Sequence, residues 1–309
     1  VKKGVELEYF TVDTEGRLVD NEDFAERFDF ADPEFAECIL EIKSEPCGTV
    51  EELKEDLCHK TREVVDEAEK RGMRLVPLGT PLKHEGAELI ESERLQMMKK
   101  FNPRDIEIEK QLLRVGTHIH FEKDNVRDQL NIMTALDPAF ALLNASPYHN
   151  GEQVASSSRN WIYRYGWEPD FPQTVELWDY ADSIEGWKQR MHEAFVGFRK
   201  GAIDAGIEPG KFDSQFHPDR STWTPVRLRD QFPTVEYRSP DATSPGDVLK
   251  FVSDMETVME ASKDKEVVKG ENPGIKDDVV IIPGFNRLEE LSRLAAREGV
   301  SNPEVRNYL

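Results

Sequence analysis

Carboxylate, imidazole and guanidinium side chains recur two residues apart in four short segments of this sequence. These are GVELEYF with Glu6 and Glu8, CILEIKSEP with Glu41, Lys43 and Glu45, VGTHIHF with His118 and His120, and TVEYRSPD with Glu236 and Arg238. Successive side chains of a β-strand point to opposite faces, so residues i and i+2 share a face and lie about 6 to 7 Å apart. Each segment therefore predicts a strand with ionisable groups on one face.

Solvent exposure is the simpler explanation of the same alternation. An antiparallel sheet with one wet face also alternates apolar and polar residues, so Val5, Leu7 and Tyr9 would be core while Glu6 and Glu8 face water. A solvated face usually carries Thr, Ser, Lys and Gln in loose variety, whereas these segments repeat glutamate, histidine and arginine. The pattern indicates a functional site if the four strands are neighbours in one sheet.

Divalent metal binding is the chemistry that such a face would support. Four or five neighbouring carboxylates raise each other's pKa values, and bound cations remove that repulsion. Glutamate oxygens are hard ligands that suit Mg²⁺ or Mn²⁺, and an imidazole among them is compatible with either ion. Magnesium in turn suggests nucleotide phosphates. The sequence has no GxxxxGK[ST] loop, no GxGxxG after a strand and no GxSxG elbow, so metals and arginines would have to hold a nucleotide.

The histidine pair leaves two other interpretations open. Neutral histidines can simply hydrogen-bond within a core, and an HxH strand is also a common zinc arrangement. A metal-dependent hydrolase would use the HxH pair with later histidines such as His149, His192 and His217. A barrel hydrolase normally carries HxH near its first strand, whereas carboxylate-bearing strands come first here.

The charge and composition of the chain limit its partners. There are 40 Lys and Arg residues against 61 Asp and Glu residues, a net charge of −21, which argues against a nucleic-acid partner. The same acidic excess is compatible with a halophilic source. Three cysteines without a CxxC pair and the absence of a long apolar run predict a cytoplasmic protein without membrane contact. The oligomeric state stays open, a homodimer included.

A mixture of helices and strands surrounds these segments, with no clear linker or repeat, so we expect residues 1–309 to form one catalytic domain. Thr49 and Glu52 form a capping-box pattern that begins a helix running to Gly72. Further expected elements are a hairpin around Glu15, strands in MRLVPLG and WTPVRLRD, helices over 129–143 and 183–205, helices beginning at Pro245 and Pro303, and a surface loop in KGENPGIKDD.

In chain order, these motifs resemble the glutamate-cysteine ligase family two, whose members are ATP-dependent carboxylate-amine ligases. The resemblance runs from Gly4 to about Leu309. It is carried by GVELEYF, LEIKSEPC followed by TVEELKEDL, GTHIHF, NASPYHNGEQVASSSR and WTPVRLRDQFPTVEYRSPD. It implies an α+β fold, in which a curved, mostly antiparallel six-stranded sheet forms a funnel with helices packed outside. Glutamine synthetase and guanidino kinase catalytic domains have a similar arrangement.

The resemblance also implies an activity and assigns roles to residues. The reaction would join the γ-carboxylate of glutamate to an amine, most naturally cysteine, through a γ-glutamyl phosphate, with ATP and Mg²⁺ or Mn²⁺ as cofactors. Another amine acceptor, a hydrolase and a catalytically silent relative are the alternatives. The implied metal ligands are Glu6, Glu8, Glu41, His118 and Glu236. The implied catalytic pair is Glu236 and Arg238, and the implied substrate or nucleotide contacts are Arg159, Arg227 and His120.

Overall fold

A long first strand organises the main sheet. The structure, a computed structural model, describes residues 1–101, 112–166 and 171–309. Strand β1 (Lys3–Val12) pairs antiparallel with β3 (Ile39–Lys43) on one side. On its other side, β5 (Thr117–Glu122) pairs with its first half and β4 (Arg74–Val76) with its second half. A single strand therefore touches three partners, which brings distant segments of the chain together.

Three more strands complete this sheet of seven. With β2 (Ala31–Pro33), β8 (Val226–Leu228) and β9 (Thr234–Tyr237), the order is β2-β3-β1-β5-β9-β8, and β4 joins at β1. Every pairing within it is antiparallel. Two small sheets lie elsewhere. The first pairs β6 (Tyr148–His149) with β7 (Glu152–Gln153), and the second contains β10 (Glu266–Lys269), β11 (Gly274–Ile275) and β12 (Val279–Ile282).

The described helices connect and cover these strands. They are α1 (Glu22–Ala25), α2 (Val50–Lys70), α3 (Glu93–Phe101), α4 (Val126–Ala135), α5 (Ser158–Asn160), α6 (Ile184–Asp204), α7 (Pro209–Gln215), α8 (Pro245–Asp264), α9 (Phe285–Glu298) and α10 (Pro303–Tyr308). Short 3₁₀ helices span Asp137–Leu143, Pro172–Thr174, Pro218–Arg220 and Gly299–Ser301, and a π-helix spans Trp161–Gly166. Among these described helices, none has both the length and the apolar character to cross a membrane.

The two faces of β1 differ because the strand alternates. Val5, Leu7 and Tyr9 are buried in the largest apolar cluster, which includes residues of α2, α4, α6 and α8. The opposite face carries Glu6 and Glu8 away from that cluster. The helices thus cover one face of the sheet, and the polar face is left for other contacts, as the alternation predicts.

Most of the predicted elements are confirmed. Thr49 caps α2 with both hydrogen bonds of the capping box, Ser183 caps α6, and α8 and α10 begin at the expected prolines. The open, antiparallel sheet with outer helices confirms the predicted fold class, with β4 as a seventh strand beside the continuous path of six.

Two local expectations need correction. The single helix expected over 129–143 is α4 followed by a 3₁₀ helix, because Pro138 cannot donate an α-helical hydrogen bond. KGENPGIKDD is not entirely a loop, since β11 lies within it. The hairpin expected around Glu15 is confirmed, with an antiparallel bridge between Val12 and Leu18.

A buried ionic network holds the end of β9 in place. The side chains of Asp137 and Arg164 are 0% and 3% exposed and form a bidentate pair with N–O distances of 2.7 and 3.1 Å. Arg164 Nη2 also donates to Ser239 Oγ at 2.6 Å, and Ser239 follows Arg238 directly. The network therefore fixes the backbone next to a predicted catalytic residue.

We expect Asp137→Asn to lower the free energy of unfolding by about 3–5 kcal/mol, because Arg164 would stay buried without a counter-charge. Chemical denaturation followed by fluorescence measures this change. Asp254→Asn is the control, since Asp254 pairs with Lys250 on the exposed surface of α8 and its loss should leave the midpoint unchanged. Equal midpoints for both variants would contradict the role of the network.

Candidate active site

Strand register brings the predicted residues together on the polar face of the sheet. Glu8 lies opposite Glu41 across β1 and β3, and Glu6 lies opposite His118 across β1 and β5. His120 is paired with Glu236 across β5 and β9, and Glu236 with Arg227 across β9 and β8. Side chains paired across strands have Cβ atoms about 5 Å apart, so pairing alone produces a continuous row of charged groups.

A cavity of about 590 Å³ opens over this row. That volume lies in the range of small-molecule sites, about 300–1,000 Å³. Seven of the nine predicted site residues line it, namely Glu6, Glu8, Glu41, His118, Arg159, Arg227 and Arg238. His120 and Glu236 do not line it but contact residues that do. The structure therefore gathers all nine at one place.

Glu6 lies between the two histidines. Its Oε2 is 2.9 Å from His118 Nδ1, and its Oε1 is 3.4 Å from His120 Nε2. Burial would raise the pKa of Glu6, but the hydrogen bonds with His118 and His120 hold it well below its ordinary value. Burial lowers the pKa of His118, and Arg238 lowers it further. Burial also opposes protonation of His120, yet Glu6 and Glu236 raise its pKa.

Glu236 is held between two arginines. Arg238 Nη1 donates to Glu236 Oε1, and Arg227 Nη1 lies 3.5 Å from Oε2. Burial alone would raise the pKa of Glu236, but the charges of Arg238 and Arg227 keep it far below the ordinary value. Burial lowers the pKa of Arg227 to about 10, whereas Glu236 raises the pKa of Arg238 against the effect of burial. Glu236 is therefore ionised at neutral pH.

A second carboxylate group lies at the β1–β3 side of the cavity. Oxygen atoms of Glu8, Glu34 and Glu41 lie within 4.8 Å of one another. Burial raises the pKa of Glu34 to about 8, and the charge of Glu8 adds to that shift. Burial and the neighbouring Glu6 likewise raise the pKa of Glu41 well above its ordinary value, although Lys43 Nζ is 2.8 Å from its Oε2. This side of the site therefore holds more carboxyl groups than its own cations can keep ionised.

The donor atoms fit hard divalent cations. Besides the Glu8 group, oxygen and nitrogen atoms meet within 4.8 Å in the groups Glu6–His120–Glu236 and Glu6–Glu41–His118. The buried atoms His118 Nε2 and Glu236 Oε2 have no hydrogen-bond partner among the described residues, and His120 Nε2 has only the long 3.4 Å approach to Glu6 Oε1. Buried polar atoms are rarely left unpaired, and carboxylate-rich sets with one imidazole suit Mg²⁺ or Mn²⁺.

Arg159 approaches the site from α5. Its Nη1 donates to the carbonyl oxygen of Ser239 at 3.1 Å. A Cβ atom at Gly116 would lie 2.4 Å from its Nη2, so only glycine allows the guanidinium to pass the start of β5. The backbone N–H of Gly116 also donates to Glu8 Oε2 at 2.6 Å. Gly116 thus lies between the carboxylate of Glu8 and the guanidinium of Arg159.

Several residues that line the cavity are not predicted by strand alternation. Glu34 lies in the connection after β2, where strand alternation gives no signal. Arg114 and Tyr163 also line the cavity, together with Arg94 and Arg220. Arg114 carries a weak signal, because it lies two residues before Gly116 and four before His118, in phase with the polar residues of β5. The histidines of the hydrolase interpretation, His149, His192 and His217, do not line the cavity.

A comparison with protein families decides the relationship. The family model described as glutamate-cysteine ligase family 2 (GCS2) matches residues 2–271. The chain belongs to the GCS2 family. A Rhodococcus jostii (strain RHA1) protein that carries the name "Putative glutamate--cysteine ligase 2-1" is 28% identical to this GCS2 chain over 252 residues. The match covers 77% of this chain and 61% of that relative, so the chain spans less than two thirds of the relative's length.

Two solved structures share the fold of this GCS2 chain. A bifunctional glutathione synthetase from Pasteurella multocida matches with a TM-score of 0.59 at 16% identity, covering 99% of this chain and 44% of that chain. A glutamate-cysteine ligase from Francisella tularensis, in complex with AMP, matches with a TM-score of 0.59 at 13% identity, covering 96% of this chain and 71% of that chain. At such identities the likeness concerns the fold alone.

We expect Mg²⁺ or Mn²⁺ to displace protons from the site at pH 7. Glu34, with a pKa of about 8, is mostly protonated at that pH, and a cation bound there would require its ionised form. Calorimetric titration of Mn²⁺ in buffers of different ionisation enthalpy measures the released protons. The release should shrink at pH 9, where Glu34 is already ionised, and in Glu34→Gln.

Glu45→Gln is the control for this experiment. Glu45 follows β3 but is 74% exposed and pairs with Lys60 outside the cavity, so its replacement should leave proton release unchanged. A Mn²⁺ binding enthalpy that does not change with the buffer, or a proton release that Glu34→Gln leaves unchanged, would show that the raised pKa of Glu34 has no part in cation binding.

Proposed function

We propose that this chain is an ATP-dependent ligase that joins the γ-carboxylate of glutamate to an amine, with cysteine as the expected acceptor. Membership of the GCS2 family supports the class of reaction. The observation that carries the proposal is the row of glutamate, histidine and arginine side chains across β3, β1, β5, β9 and β8 beneath one cavity. We also propose that residues 1–309 form one catalytic domain.

The reaction needs activation of a carboxylate, because its oxide is a very poor leaving group. The γ-carboxylate of glutamate attacks the γ-phosphate of ATP in line, which forms γ-glutamyl phosphate and releases ADP. The amine then attacks the acyl carbon, loses a proton, and expels phosphate. Bound Mg²⁺ or Mn²⁺ supplies charge neutralisation for the phosphate oxygens. Glu6, Glu8, Glu41, His118 and Glu236 are the proposed ligands, and Glu34 joins them on geometric grounds.

Arginine side chains supply the remaining positive charge. Arg238 stabilises the transferred phosphoryl group, because it lies beside both Glu236 and His118, at 3.4 Å from His118 Nδ1. Arg227, from β8, holds the nucleotide phosphates. Arg159, which lies on the side of Gly116 away from Glu8, contacts the substrate. His120 orients Glu6. Because Glu236 fixes both Arg238 and Arg227, its carboxylate is the common support of the phosphoryl-transfer site.

The zinc hydrolase is less well supported by this geometry. Among the described residues, each group that could hold a metal combines at most one histidine with two or three carboxylates, which favours hard cations over zinc. A different amine acceptor remains the second candidate, because the family relationship does not fix that substrate. We further propose a cytoplasmic location, in keeping with three free cysteines, and no nucleic-acid partner.

We expect phosphate release from ATP and Mg²⁺ only when glutamate and an amine acceptor are both present. A phosphate-release screen of the common amino acids with glutamate, at low and at molar salt, identifies the acceptor. It also tests the halophilic character proposed from the net charge of −21. Hydrolysis of a substrate without ATP would contradict the ligase.

We expect Glu236→Gln to reduce kcat by about 100-fold or more, because Arg238 and Arg227 lose the charge that positions them. Steady-state phosphate release measures the loss, and thermal unfolding checks that the variant folds. Glu122→Gln is the matched control, since Glu122 lies on β5 of the same sheet but is exposed. Full activity in Glu236→Gln would remove this residue from the catalytic site.

A further inference from the structure

Two half-buried arginines of the cavity wall form no ion pair with a described carboxylate, although the charges of Glu8 and Asp241 act on Arg159. Arg114 and Arg159 both line the cavity, yet neither forms an ion pair with a described Asp or Glu. By contrast, Arg164 and Arg238 in the same cavity pair with Asp137 and Glu236. Charged atoms withdrawn from water are normally paired, and Arg114 Nη1 is buried without a partner among the described residues, so this part of the cavity is suited to binding an anion.

The surroundings of Arg114 leave its guanidinium edge free for such an anion. Its Cζ lies 4.2 Å from the ring centroid of Tyr163, which covers one face of the planar group. Tyr163 is itself fixed, because its hydroxyl donates to the carbonyl oxygen of Trp223 at 2.9 Å. Arg114 Nη1 is buried and has no hydrogen-bond partner among the described residues. A stacked guanidinium with unused in-plane N–H groups is a preorganised binding group for a planar oxyanion.

Arg114 and Arg159 both lie at the start of β5 in the cavity wall. Arg159 uses Nη1 on the carbonyl oxygen of Ser239 and lies against Gly116, two residues after Arg114. Burial lowers the pKa of Arg114 to about 10, and the positive charge of Arg159 contributes to that shift. The two guanidinium groups thus carry like charge at neighbouring positions of the cavity wall, and a bound anion would reduce their repulsion.

We propose that Arg114 and Arg159 bind the carboxylate of an amino-acid substrate. The assignment rests on the ligase function proposed above, and it adds Arg114 as a residue that selects substrates by their carboxylate. Arg227 and Arg238, which flank Glu236, are the phosphate-binding arginines in that function. Arg114 is assigned to the other anion that the reaction brings in because its guanidinium is stacked on Tyr163 and its buried Nη1 has no partner among the described residues. The carboxylate comes either from glutamate, as its α-carboxylate, or from the amine acceptor.

Binding measurements on the intact chain test the proposal and distinguish the two sources. The ligands are glutamate against 4-aminobutyrate, which lacks the α-carboxylate, and cysteine against cysteamine, which lacks its carboxylate. We expect the wild-type protein, with Mg²⁺ and an ATP analogue, to bind one amino acid at least ten times more tightly than its decarboxylated analogue. Arg114→Gln should weaken the binding of that amino acid by about 10- to 100-fold and leave the affinity for its decarboxylated analogue unchanged.

Matched variants separate binding from folding. Arg190→Gln is the control, because Arg190 also stacks on aromatic rings, those of Trp178 and Trp187, but lies outside the cavity. Unliganded Arg114→Gln should unfold at the same temperature as the wild type or a higher one, since a buried unpaired charge is removed. Arg114→Lys keeps the charge but not the planar fork, so it should fold and show an intermediate loss of affinity.

Two results would overturn the proposal. The first is equal wild-type affinity for both amino acids and their decarboxylated analogues. The second is an Arg114→Gln variant in which only ATP binding weakens, which would assign the pair to phosphate. Because these are binding experiments, they remain decisive even if the wild type forms no amide bond with any amine, a result that would refute only the proposed function.

Discussion

Electrostatic repulsion among buried carboxylates is the constraint on which the rest of this structure depends. Glu6, Glu8, Glu34 and Glu41 share one cavity, and a folded chain tolerates them only where opposite charges or protons offset them. At the β5–β9 side, histidines and arginines do so, and the pKa values of Glu6 and Glu236 fall. At the β1–β3 side, the compensation is incomplete, and the pKa values of Glu34 and Glu41 rise. The site is therefore divided into a neutralised part and a part that favours added cations.

The framework behind the cavity explains how these charges keep their positions. Val5, Leu7 and Tyr9 anchor β1 in the apolar cluster, so the alternate residues cannot leave the polar face without exposing that cluster. Behind β9, the ion pair of Asp137 and Arg164 is almost fully buried and binds the segment after Arg238. Core packing on one side and a buried ionic network on the other thus restrict the charged groups between them.

The sequence predicted the strand-borne part of the site well, because strand periodicity relates residue number to face directly. Glu6, Glu8, Glu41, His118 and Arg238 could be placed on one surface without coordinates, and register then brought them together. Residues outside regular strands could not be found in this way. Glu34 depends on the path of the chain after β2, and the pairing of Arg114 with Tyr163 depends on tertiary contacts between segments far apart in sequence. The helix break at Pro138 has a different cause, because it is a local effect of proline that apolar periodicity alone does not register.

The central claim is that divalent cations bind the carboxylates of β1 and β3 together with the histidine and glutamate of β5 and β9. Anomalous scattering from crystals soaked in Mn²⁺ tests it most directly. The account predicts anomalous peaks within the cavity, at direct ligand distance from Glu6, Glu8 and Glu236. Peaks confined to acidic patches on the outer surface, with the cavity free of manganese, would contradict it.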